Sequence, residues 1–324
     1  YFTIRLRFVP RYYLHALRRL FRGTEGGIHA SRTGGMTPVQ ALSTAIASQV
    51  GTGNIVGVAM ALLMGGPGAL FWLWLSAMLG MSTNFAEAIL GQLYKSRTAE
   101  GHIVGGPAYY IRRGLHSRWL AGFFSVFFIL ALGMIGIMVQ ANSISTALVS
   151  LFPEEVNPLW TGCVLAVFVG LVLSGGIRRI AQFSESVVPV MAVLFMGGCV
   201  VFIAFHLSAL PGAVADIFCY AFTPMAGVGG AAGIGVMTAA RYGVSRGLFS
   251  NEAGLGTTPH AHAIAKVHNC YEQGMMAIVG ISVDLLVCTF TGLVLLVSGV
   301  LTDGSGMVGI QLMQSAFCSS FGMV

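Results

Sequence analysis

Apolar residues run along the chain in blocks of about 20 or more, the length that crosses a bilayer core as a helix, separated by short polar or glycine-rich segments. The blocks predict spans at roughly 37–64, 69–94, 119–150, 159–175, 183–206, 212–240 and 273–299, with an eighth starting near 307. Strict alternation of apolar and polar residues, the signature of a membrane barrel, is not the pattern, so the expected fold class is an all-α polytopic membrane protein. Tyr12 to Phe21 reads as an amphipathic surface helix before the first span.

Two spans carry a break. In the first, Gly51-Thr52-Gly53-Asn54 sits mid-block. Each glycine weakens a helix by about 1 kcal/mol relative to alanine, and Thr52 and Asn54 have side chains that bond nearby backbone. Backbone groups freed at membrane depth need protein, water or a ligand. Free N–H groups on one half and free C=O groups on the other suit a solute with an anionic and a cationic end, or a solute plus a cation. Close helix packing by Gly51, Gly53 and Gly57 is the competing use. The second break is Gly227-Val228-Gly229-Gly230-Ala231-Ala232-Gly233-Ile234-Gly235, which predicts an opening of the sixth span near 226–230.

Composition agrees: 56% of residues are hydrophobic and 9% charged, against about 25% charged in average soluble domains. With residues 1–36 in the cytoplasm, the inside segments 1–36, 95–118, 176–182 and 241–271 hold all 17 Lys and Arg residues. The outside segments hold Glu154, Glu155, Asp216 and Asp303. That asymmetry predicts a multi-pass protein of the cell membrane with a cytoplasmic basic N-terminal segment. The N-terminal arginines fit lipid contact or topology, not nucleic acid. The first span then enters from inside and the sixth from outside, both broken, as in an inverted five-plus-five repeat. The expected organisation is 1–36 basic segment, 37–206 first repeat and 207–324 second repeat, incomplete. Both ends look cut, so a fragment of a longer protein is expected. The six cysteines stand singly, without zinc or redox spacing.

The stretch Gly65-Gly66-Pro67-Gly68-Ala69-Leu70-Phe71-Trp72-Leu73-Trp74-Leu75-Ser76-Ala77-Met78-Leu79-Gly80 resembles the alanine-or-glycine:cation symporters, also called sodium:alanine symporters. Ser245-Arg246-Gly247-Leu248-Phe249-Ser250-Asn251-Glu252-Ala253-Gly254-Leu255-Gly256 is similar to that family's second hallmark, and Gly51–Asn54 and Gly105-Gly106-Pro107 also fit. The resemblance covers essentially the whole chain. It implies a leucine-transporter-type fold that moves alanine or glycine inward with Na⁺, some members using H⁺. It implies that Asn54 holds the cation and that Thr52, Gly53, Gln140, Gly229 and Gly230 line the amino-acid pocket. Family members continue through three further helices after the seventh span, which would supply a second cation site and part of the pocket wall.

Other residues stand out by position. Asp284 is ionisable in the middle of the seventh span, where such groups are costly and functional or paired; with Gln49 it joins Asn54 as a cation candidate. Gln140 and Asn142 in the third span serve a pocket or an interhelical hydrogen bond. Glu87 reads as structural. Arg246, Asn251 and Glu252 follow the sixth span as an inner gate or a packed loop beside it. His260, His262 and His268 lack metal-ligand spacing, and no cofactor is expected beyond Na⁺ as a transported ion. The expected function is sodium-coupled uptake of small neutral amino acids by alternating access; the alternatives are proton coupling or a truncated, inactive paralogue. A passive channel would need a continuous polar stripe, and an intramembrane enzyme a nucleophile and base at one depth; neither pattern is present.

Overall fold

The computed structural model describes residues 1–6, 8–22, 36–99, 101–152, 154–223, 235–302 and 306–322. The regular structure there is helical, apart from a short antiparallel hairpin pairing Ser96–Arg97 with Ile103–Val104. Gly68–Leu93, Arg118–Leu151, Gln182–Phe205 and Cys270–Ser298 are long and apolar enough to cross a membrane. Pro38–Gln49 and Gly53–Gly65 are long and apolar enough only as a pair, bent by 47°, the shape of a broken span or a re-entrant loop. Pro158–Leu173 and Leu210–Phe222 are shorter apolar helices.

The bend follows from local chemistry. Thr37 caps the first half reciprocally with Gln40, and Pro38 opens the helix where its missing N–H costs nothing. The helix stops at Val50, whose backbone is extended (φ −85°, ψ 100°). It resumes in a π-helical turn, Gly53–Gly57.

Two expectations need correction. Residues 241–271 are not a polar loop throughout: Val236–Asn251 is helical to its end, and Thr258–Ile264 forms another helix. Ala239, Gly243, Gly247 and Ser250 make one small, buried face on Val236–Asn251. Packing of that face sustains the helix past Arg241 and Arg246. Likewise the segment 95–118 contains the hairpin and a helix, Pro107–Gly114. The amphipathic segment is a helix as expected, observed as Tyr13–Arg22. Its Ala16 is buried with Val9 against Met275 and Met276. The predicted opening near 226–230 lies outside the described residues.

Gly68–Leu93 is the element on which the others pack. A Cβ on Gly243 would run into the Ala69 carbonyl and come within 2.8 Å of the Trp72 Cβ. One on Gly247 would lie 3.3 Å from the Leu73 Cα, and one on Gly80 3.0 Å from the Ala253 Cβ. Backbones therefore approach closely along this crossing, the way membrane helices gain packing without a hydrophobic driving force. The Trp72 indole N–H donates to the Ala221 carbonyl (3.0 Å) and the Trp74 N–H to Thr289 Oγ1 (3.0 Å). On another side Leu70 fills the notch at Gly292 and Phe85 the notch at Gly274. Leu70, Leu73, Phe202, Ile217, Leu295 and Leu312 form the centre of the apolar core.

The loop after Val236–Asn251 docks on the far end of the same helix. Glu87 accepts from the Gly254 N–H (3.1 Å), Asn84 accepts from the Thr258 hydroxyl, and the Gln92 amide donates to the carbonyls of His262 and Ala265. Two glycines of the recurring motifs interlock there. Gly106 (φ 120°) lies under the His260 ring, and a Cβ on Gly256 (φ 84°) would lie 2.5 Å from the Pro107 Cγ. Both need the left-handed backbone that side chains resist.

Gly243→Ala is expected to destabilise the purified protein by about 1–3 kcal/mol, the usual scale of overpacking. Gly170→Ala, in a helix interior with open space at its Cβ, is expected to be neutral or to stabilise by up to about 1 kcal/mol. Thermal unfolding of both variants in detergent checks this; equal stability for the two would show that the crossing is not tight.

Candidate functional site

The opening at 50–52 is closed by one side chain. Asn54 Oδ1 accepts from the Gly51 N–H at 2.8 Å, and the Gly51 carbonyl accepts from the Asn54 N–H at 3.2 Å. The other end of the same carboxamide donates to Asp284 Oδ1 at 2.6 Å. Ser250 Oγ donates to that same oxygen at 2.8 Å, and Cys288 Sγ lies 3.3 Å from Asn54 Nδ2 and 3.2 Å from Ser250 Oγ. Three helices thus meet at one carboxylate oxygen. Asn54 and Asp284 are 0% and 1% exposed, a depth at which a carboxylate depends on such donors. Gly53 makes the meeting possible: a Cβ there would be 3.1 Å from the Ser250 Cα.

A second set of contacts joins the end of Pro38–Gln49 to the motif after Val236–Asn251. Gln49 Nε2 donates to the Asn251 carbonyl (2.9 Å), and the Ser48 hydroxyl donates to the Glu252 carboxylate (3.0 Å). Thr257 Oγ1 donates to the same Glu252 oxygen at 2.5 Å. Burial pushes the Glu252 carboxyl above its usual range, against these two hydroxyls, which favour the charged form. Glu252 itself has a left-handed backbone (φ 54°) at the end of its helix.

The structure brings most of the residues singled out in the sequence to this opening. Asn54 touches Asp284, Gln49 touches Asn251, and Glu252 touches Ser48. Gln140 lies beside Gly51, where a Cβ would be 3.2 Å from its Nε2. Gln49 Oε1 and Thr52 Oγ1 are buried with no partner among the described residues. Arg246 Nε is buried in the same condition, and the hydrogen bonds of Glu252 run to Ser48 and Thr257. Asn142 is exposed, and Ser143 bonds within its own helix to Val139. Gly229 and Gly230 lie outside the described residues. Sequence reasoning passed over Ser250 and Cys288 as site residues. Ser250 stands in the second motif directly before Asn251, and Cys288 lies four residues after Asp284, on the same helix face.

The family description for sodium:alanine symporters matches residues 1–324. The chain belongs to the sodium:alanine symporter family. It is 42% identical to an uncharacterized transporter of Haemophilus influenzae over 99% of this chain and 70% of that protein. It is 39% identical to a probable sodium/glutamine symporter of Bacillus subtilis over 99% of this chain and 65% of the relative. It is 40% identical to a sodium/alanine symporter of Methanococcus maripaludis, over 94% and 68%. The chain thus spans about two thirds of the length of these curated relatives. Membership and the apolar helices together make this symporter-family chain a multi-pass membrane protein.

His262 sits in the docking loop. It is fully buried, with its Nδ1 2.6 Å from Gln273 Nε2, and burial pushes its pKa down to about 4. The unfolded chain takes up this proton near pH 6.5, whereas the folded protein refuses it until about pH 4. Stability is therefore expected to fall as pH drops from 6.5 to 4, by about 3 kcal/mol from this group. Thermal unfolding across that window should show a shallower fall in His262→Gln; identical slopes would rule this histidine out as the cause.

Proposed function

We propose that the protein is a secondary active transporter that carries a small neutral amino acid, alanine or glycine, together with Na⁺ by alternating access. The observation that carries this reading is the junction at Asp284, where the helix opening, Asn54 and Ser250 converge on one buried carboxylate. Na⁺ takes hard oxygen ligands. The Asp284 carboxylate and the Ser250 hydroxyl offer them at the junction, the Asn54 amide oxygen offers one at the Gly51 end of its carboxamide, and the partnerless oxygens of Gln49 and Thr52 border the same opening. Sodium is common to the printed names of the glutamine and alanine symporters among the relatives. The choice of alanine or glycine rests on the small, glycine-lined surroundings of the opening.

The contacts support the following mechanism as a proposal. Na⁺ draws the Asp284 and Asn54 oxygens to itself and fixes the opening. The substrate carboxylate meets the cation or the N–H groups that begin the second half-helix. Its ammonium meets carbonyls near the sixth-span break. Thr52, Gly53 and Gln140 are proposed to line a small pocket that excludes larger side chains, and the family resemblance adds Gly229 and Gly230 to that lining. The Gln49–Asn251 and Ser48–Glu252 hydrogen bonds are proposed to form an inner gate that must part for release, with Arg246 of the same motif as its third member. Because cation and amino acid favour one state, each raises the affinity of the other by the same factor. The architecture proposed for this is the leucine-transporter-like inverted repeat, 37–206 and 207–324, with residues 1–36 cytoplasmic.

Full-length protein in liposomes is expected to take up alanine with an inward Na⁺ gradient and not with choline. Asp284→Asn and Asn54→Ala are each expected to raise the half-saturating Na⁺ concentration at least tenfold, since hydrogen bonds to charged groups contribute about 1.5–3 kcal/mol. The ionisable Asp284 at the junction favours a proton as the second reading; uptake driven by a pH gradient without Na⁺ would select it. Uptake indifferent to both gradients would sink the coupled-site reading.

A further inference from the structure

We infer that the protein holds the headgroup of an anionic phospholipid in a basic pocket formed where the Pro107–Gly114 helix turns into the Arg118–Leu151 span. The pocket has a volume of about 560 Å³ and is lined by Ser96, Tyr109, Arg112, Arg113, His116 and Arg118. A second cavity of about 510 Å³ shares Tyr109, Arg112 and Arg118 and continues along Ala121, Gly122 and Ser125 of the span. One end of the combined groove is cationic and the other is small and largely apolar, the two-part shape of a headgroup with its chain. A soluble anion needs only the first part.

The charges are arranged for an outside partner. Arg113 is spent on the hairpin, donating to the Lys95 carbonyl (3.1 Å) and to Ser96 Oγ (2.9 Å), which pins the helix that carries its neighbour. Arg112 and Arg118 are exposed and make no protein hydrogen bond among the described residues. The residues that line the two cavities include no Asp or Glu to neutralise them. The span begins at Arg118, capped by Ser117, so the positive end of a long helix also faces the pocket. Depth agrees with charge. Trp119, the next residue, stacks on Phe123 at the start of the span, and tryptophans at the ends of spanning helices mark the membrane–water interface. The groove therefore lies at headgroup level, with Leu120 and Phe123 exposed beside it. Basic pockets between membrane helices bind lipid headgroups on these terms.

Native mass spectrometry of the full-length protein, equilibrated with phosphatidylglycerol and phosphatidylcholine in equal amounts, tests the site. The parent protein is expected to retain phosphatidylglycerol in preference. Arg112→Gln with Arg118→Gln should lower that preference by roughly 25-fold, about fivefold for each arginine. Gly122→Leu, where a Cβ meets nothing within 4 Å, should lower lipid retention by filling the groove without touching a charge or the fold. Arg97→Gln, an exposed arginine on the hairpin outside the pocket, should behave as the parent. Equal retention of the two lipids by the parent protein, or unchanged preference in the double variant, would overturn the proposal. So would displacement of the lipid by excess inorganic phosphate with no effect of Gly122→Leu, which would mark a site for a soluble anion.

Discussion

A helix opened at membrane depth exposes N–H and C=O groups that no water reaches, and here a single carboxamide answers the opening from both ends. The Asn54 oxygen takes the Gly51 N–H, and its nitrogen donates to Asp284. The first bond starts the second half-helix; the second ties it to a span that lies 230 residues away in sequence. Ser250 adds a third helix to the same oxygen. A shorter or apolar side chain at 54 would leave the Gly51 N–H without that partner and Asp284 with Ser250 as its remaining side-chain donor, a costly loss in a low-dielectric interior.

Such a junction needs helices that approach within backbone contact. Gly53 lets Ser250 in, and the face of Gly68–Leu93 with Ala69, Leu73, Ser76 and Gly80 receives Gly243, Gly247 and Ala253. The long motif beginning at Gly65 thus carries no side chain of the junction itself. It sets the height and rotation of Val236–Asn251, and so the position of Ser250. The far end of the same helix holds the docking loop through Asn84, Glu87 and Gln92. Glu252 and Asn251, which grip Ser48 and Gln49, are therefore anchored to a helix other than the one they grip. Any shift of Pro38–Gln49 against Gly68–Leu93 must strain those two bonds first.

Much of this was legible in the sequence because it is written locally. Apolar runs located the long helices at 68–93, 118–151, 182–205 and 270–298 to within a few residues, and two glycines beside Thr52 and Asn54 located the bend. An acid at mid-span marked Asp284. The helix ending at Asn251 was not legible past 240, since arginines at 241 and 246 read as loop, while the buried face that sustains the helix exists only against Gly68–Leu93. Ser250 and Cys288 were hidden for the same reason: a hydroxyl and a thiol in apolar surroundings signal nothing until a carboxylate is placed beside them. The arginines near 112 were visible as charge, but their pocket depends on how Leu115–Ser117 turns one helix into the next.

By itself, the sequence determined which segments are apolar helices, where the first of them must open, and which polar side chains are too costly to bury alone. Family membership rests on its motifs as well. Only the tertiary structure decided that Asn54, Ser250 and Asp284 share one oxygen, that Gln49 and Ser48 reach the 251–252 turn, and that Arg112 and Arg118 face one groove. Hydropathy and backbone propensity act within a single helix, over a few residues. Which donor meets which acceptor depends on the rotation and crossing of helices far apart in the chain, and those are set by the small residues where the helices touch.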